Sequence, residues 1–115
     1  MCIRDRICGS ADCNAINFSC SHGTHYPKNM NKLVSPIRNI FEKVMIEQNK
    51  QISDWDNLDK EQKNNIKAIV SKINIQNQYN NLMQIDFIKE KVNQNKLEVV
   101  KLFYRIDDGL FESLN

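Results

Sequence analysis

Ile37, Ile40, Phe41, Val44 and Met45 recur at helical spacing and form one apolar stripe. Ser35-Pro36 stands before them as an N-cap hydroxyl followed by a first-turn proline, so the pattern predicts a helix that starts there and frays near Asn49–Gln51. A second stripe, Ile66, Ile69, Val70 and Ile73, predicts a second helix capped by Asp59, with Gln62 three residues on as a capping-box partner. Trp55 and Leu58 are expected to fold back over this pair. Asn74–Gln78 is polar and reads as a joint. The apolar pattern resumes from Tyr79 through Leu82, Met83, Phe87, Ile88 and Val92. Asn95 and Glu98 suggest another capping box, so Asn95–Ile106 reads as a fourth helix. The same stretch is rich in β-branched and aromatic residues, which leaves a strand as the rival reading. Helix is preferred because no obvious pairing strand is seen elsewhere. Asp107-Asp108-Gly109 closes either element, as a helix end or as a hairpin turn.

These elements predict an all-α domain of three or four helices over residues 30–115, with a C-terminal β-hairpin as the alternative. Its expected core is Ile37, Ile40, Phe41, Val44, Trp55, Leu58, Ile66, Ile69, Val70, Ile73, Leu82, Val100 and Phe103. Composition adds a seam near Met30. All four cysteines, both histidines and the sole threonine precede it, and the rest is dominated by Lys, Asn, Ile and Gln. Met1–Arg6, MCIRDR, resembles the translation of a transposase library adapter. Residues 1–29 are therefore expected to be disordered or non-native, with residues 1–6 as translated adapter.

The chain has 115 residues, 41% hydrophobic and 26% charged, with a net charge of +2. That balance fits a globular chain and gives no field strong enough to imply nucleic acid or an anionic membrane. No apolar run approaches the roughly 18 residues of a membrane span. The start lacks the apolar stretch of a signal peptide, so a cytoplasmic location is expected.

Chemistry is sparse. Cys8, Cys13, Cys20, His22 and His25 form the one metal-like cluster. Their donor types suit zinc, but there is no Cys-x2-Cys knuckle and no His-x3–5-His pair, so no metal site or cofactor is assigned. From Met30 onward there is neither histidine nor cysteine, and no glycine-rich loop, so no catalytic residue is assigned. Asp54, Asp56 and Asp59 fail the calcium-loop pattern and read as helix caps. Lys60, Lys63, Lys67 and Lys72 share a helical region that can meet nucleic-acid phosphates or simply face water.

Lys96-Leu97-Glu98-Val99-Val100-Lys101-Leu102, followed by Tyr104-Arg105-Ile106-Asp107, resembles the wing of excisionase-type winged helix-turn-helix domains, with Ile85–Val92 in the place of the recognition helix. The resemblance implies a DNA-binding domain. It departs from that family at the wing turn, where only Phe103 separates the two halves, so no DNA-contacting residue is carried over. The leading functional expectation is a non-catalytic protein-interaction module that binds a partner or itself. Its motive is the surplus of apolar residues in Leu97–Ile106 and Leu110–Leu114. A nucleic-acid-binding domain is the alternative.

Overall fold

The computed structural model describes residues 3–10, 14–20, 28–105 and 108–114. Along the chain run β1 (Ile3–Ser10), α1 (Asn14–Ser19), α2 (Lys28–Glu47), a 3₁₀ segment (Ile52–Asn57), α3 (Lys60–Met83), α4 (Asp86–Asn93), β2 (Leu97–Arg105) and β3 (Leu110–Ser113). The fold is mixed α/β, which corrects the expected all-α class. Contacts divide the chain into two compact units, residues 11–71 and residues 1–10 with 72–115, and the division falls inside α3.

In the unit of residues 11–71, α2 begins at Lys28 rather than at Ser35. Pro36 lies inside the helix, where it has no N–H to offer the Lys32 carbonyl one turn back. The predicted stripe forms the core: Ile37, Ile40, Phe41, Val44 and Met45 are buried with Ile16, Cys20, Trp55, Ile66 and Val70. The Phe41 and Trp55 rings meet edge to face, 5.1 Å apart. Arg38 lies over Phe41 and donates from Nη1 to the Ser19 carbonyl at 2.9 Å, which ties the end of α1 to α2. α2 stops in a Schellman turn. Asn49 takes φ 58°, its N–H reaches the Ile46 carbonyl, and the Lys50 N–H reaches that of Met45.

α3 starts with the capping box that its sequence announces. The Gln62 N–H donates to Asp59 Oδ1 at 2.7 Å, and the Asp59 N–H donates to Gln62 Oε1 at 3.2 Å. Asp59→Ala is expected to cost about 1 kcal/mol, read as a lower urea midpoint with an unchanged slope. An unchanged midpoint would show that water replaces the cap without loss. The predicted joint at Asn74–Gln78 is helical: α3 runs through it, and Gln76 and Asn80 bond side chain to side chain one turn apart at 2.9 Å.

In the other unit, β2 is the middle strand of a three-stranded sheet ordered β1-β2-β3. The expected fourth helix over Asn95–Ile106 is corrected to this strand. Asn95 is not an N-cap. It has φ 59°, donates to the Val92 carbonyl at 3.1 Å, and with the Lys96 N–H on the Lys91 carbonyl ends α4 in a second Schellman turn. The pairing strand overlooked in the sequence is β1, which runs parallel to β2 from Ile3 opposite Leu97 to Ser10 opposite Tyr104. Both β1 and α1 fall within residues 1–29. β2 then turns through Asp108 and Gly109 (φ 69°) into antiparallel β3. Asp108 Oδ1 accepts the Leu110 N–H at 3.0 Å.

One face of β2 lies against the second half of α3. Lys101 Nζ donates to Gln76 Oε1 at 2.8 Å and sits over the Tyr79 ring. Lys72 Nζ sits over the Phe103 ring and pairs with Glu112 at 3.2 Å. On the opposite face Tyr104 packs on Phe111, with ring centroids 5.2 Å apart. Ile69 and Ile73, expected in the core, are more than a third exposed.

Candidate metal centre

The structure describes two residues of the candidate zinc cluster. Cys8 sits on β1 beside Leu102 and is exposed. Cys20 follows α1 and is 2% exposed among Ile16, Ile37, Ile40 and their neighbours. A thiol sealed in an apolar cluster is a packing group. A catalytic zinc needs three protein donors and an open fourth position that water can reach. Cys20 does not fit that demand. Cys13, His22 and His25 lie outside the described residues. Among the described residues, no group of three or more His, Cys, Asp or Glu side chains is placed to hold a metal ion.

Topology singles out one end of the sheet. In parallel α/β sheets, ligands bind beyond the carboxyl ends of the strands, where loops lead into helices. β1 ends at Ser10, the chain continues as Ala11-Asp12-Cys13, and α1 begins at Asn14. Sequence spacing alone did not set Cys20 apart from the other candidate donors; its burial does. A cleft lined by Tyr79, Val92, Asn95, Leu97, Glu98 and Val99 lies at the other end, where β2 begins, and has no thiol or imidazole in its lining.

The four lysines do not make one free basic patch. Lys63 lies over the Trp55 ring at 5.7 Å, and Lys72 is engaged by Glu112 and Phe103. Lys60 is exposed and Lys67 half-buried. The wing resemblance fails on pairing. Leu97–Arg105 is one continuous strand, flanked by parallel β1 and antiparallel β3, where a wing needs a turn at Phe103. No helix among the described residues is long and apolar enough to cross a membrane.

A sheet with a parallel strand pair joined through helices places the chain among mixed α/β proteins. The family model described as carbonic anhydrase matches residues 6–111, and the chain belongs to this family. No curated protein matches it by sequence. It is similar in structure to a crystal structure described as one of two tetrameric beta-carbonic anhydrases from the filamentous ascomycete Sordaria macrospora. The TM-score is 0.72 at 19% identity, over 97% of this chain and 52% of that one. The chain thus spans about half the length of the structure it matches. Carbonic anhydrases are enzymes, which overturns both the expected non-catalytic interaction module and the nucleic-acid-binding alternative.

Proposed function

We propose that the chain serves the reversible hydration of carbon dioxide to bicarbonate and a proton, on a zinc site to which Cys13 contributes a thiolate. The observation that carries this reading is the family match across residues 6–111. Zinc, when bound, lowers the pKa of a coordinated water to about 7 and so makes a nucleophile available at neutral pH. The residues' part is to hold the ion. Cys13 would do so as a thiolate, with His22 and His25 as neutral nitrogen donors. These donors are sulfur and nitrogen, the types zinc prefers. Cys20 stays in the core as a packing group.

The test is to load the full chain with zinc, remove excess, and measure bound metal and carbon dioxide hydration by stopped flow. Stoichiometric zinc and hydration above the buffer rate are expected, both abolished by a chelator. A chain that retains zinc and hydrates nothing would leave the site structural. A chain that retains no zinc would overturn the metal assignment.

We further propose that the protein works in the reducing cytoplasm and associates with copies of itself. The exposed thiol of Cys8 supports the first, and the tetrameric description of the Sordaria proteins supports the second.

A further inference from the structure

We propose that Arg38 is a positioning residue for the zinc donors: it locks the carboxyl end of α1 to α2, and so fixes the helix to which Cys13 is joined. This role rests on the zinc site just proposed and belongs to a residue that is not itself a donor.

α1 is six residues long, Asn14–Ser19, and an isolated helix of fewer than about 12 residues is marginal in water. Its place must therefore come from the rest of its unit. Ile16 and Cys20 are each 2% exposed and pack with Ile37, Ile40 and Phe41. Apolar burial sets how deep α1 sits, but it is non-directional and sets rotation and slide poorly. The directional contact is the bond from Arg38 Nη1 to the Ser19 carbonyl, 2.9 Å long. Ser19 is fully buried, so a partner for its carbonyl has to come from the protein. α1 has no basic residue in its own last turn. The positive charge that carbonyls at a helix end favour is supplied instead by α2.

The guanidinium is held in turn. Its carbon lies 5.1 Å from the centre of the Phe41 ring, Nε is 3.5 Å from Glu42 Oε1, and the side chain is 19% exposed. Stacking on a ring, facing a carboxylate and donating from another nitrogen are demands that a planar fork meets together. A lysine ammonium, a point charge on a flexible stem, does not.

Cys13 is bonded directly to Asn14, the first residue of α1, and His22 stands two residues beyond Cys20. A shift of α1 therefore carries the attachment point of the thiol with it. A metal site tolerates only about 0.2 Å in its donor distances, so loss of the lock should appear in affinity and not in stability alone.

The test uses the full chain as wild type, Arg38→Ala, Arg38→Lys, Glu42→Gln and Asp59→Ala. Zinc affinity is measured by competition against a chromophoric chelator, and the visible spectrum is recorded with cobalt in place of zinc. That spectrum reports coordination geometry and does not follow stability while the chain is folded, which circular dichroism checks on the same samples. Arg38→Ala is expected to weaken zinc about 10-fold, as loss of an outer partner of a metal ligand does, and to change the cobalt spectrum. Arg38→Lys should do the same, since it keeps the charge and loses the fork. It carries the test if the alanine variant does not fold. Glu42→Gln spares the bond to Ser19 and should leave both readings as in the wild type. Asp59→Ala costs stability at the start of α3 and should also leave both unchanged. A wild type that takes up neither ion would overturn the zinc site and this role together. A wild type that binds, with both Arg38 variants binding equally well, would overturn the role of Arg38 alone. An equal loss in Asp59→Ala would also overturn it, by reducing Arg38 to a stabilising residue.

Discussion

Phe41→Ala is expected to destabilise the helical unit by about 4 kcal/mol, a large share of the roughly 5–15 kcal/mol that holds a small domain folded. Phe41 is fully buried, and its ring is the meeting point of the cluster. Trp55 packs edge to face on it, 5.1 Å away and at 85°. The Arg38 guanidinium lies 5.1 Å from the same ring. Truncation removes the transfer energy of the ring, leaves a cavity, and takes from Trp55 and Arg38 the surface they pack on. The 3₁₀ segment around Trp55 should loosen first, because Trp55 is its one buried residue. Urea unfolding followed by helical circular dichroism and by Trp55 fluorescence checks this. A loss under about 1 kcal/mol would mean that the neighbours close the cavity. That outcome would contradict the packing described.

The second large effect concerns the two cysteines that flank α1. Cys13→Ser is expected to weaken zinc binding at least ~100-fold, beyond the range seen for outer-shell partners of metal ligands, and to lower carbon dioxide hydration in step. Stability without metal should be unchanged. Cys20→Ser should do the reverse. It puts a hydroxyl among Ile16, Ile37 and Phe41, at an expected cost of about 1–3 kcal/mol, and leaves zinc affinity where it was. Metal competition against a chromophoric chelator, paired with urea melts of the same variants, separates the two roles. If both serines cost affinity equally, burial is a poor guide to the donor set. If neither does, the thiols are not ligands.

The contrast between α2 and β2 shows what was legible before the fold was known. The stripe Ile37, Ile40, Phe41, Val44 and Met45 is a local pattern with a 3.6-residue period, and every member lies in the core. The Asp59–Gln62 box is equally local, since its partners stand three residues apart. Asn95–Ile106 was ambiguous because its signals were local and its answer was not. Asn95 with Glu98 reads like a helix start, yet asparagine is also the residue that best tolerates the left-handed turn ending a helix, and α4 needed that turn at Asn95. The partner that settles β2 as a strand is Ile3–Ser10, nearly the whole chain away and inside the segment set aside on composition. No periodicity reports a pairing over that distance.

The candidate site divides in the same way. Donor chemistry was visible in Cys8, Cys13, Cys20, His22 and His25, because thiols and imidazoles are recognisable by type. The ranking among them was not, since it depends on burial at Cys20. The sequence by itself determined the apolar stripe of α2, the Asp59–Gln62 cap and the kinds of donor available, all set by residue type or by residues within a few turns of one another. Only the tertiary structure decided that Leu97–Arg105 is a strand, that Cys20 is sealed away, and that β3 pairs back on β2 with Phe111 against Tyr104. Each of these is a contact between separate parts of the chain, and a contact exists only once the chain has folded.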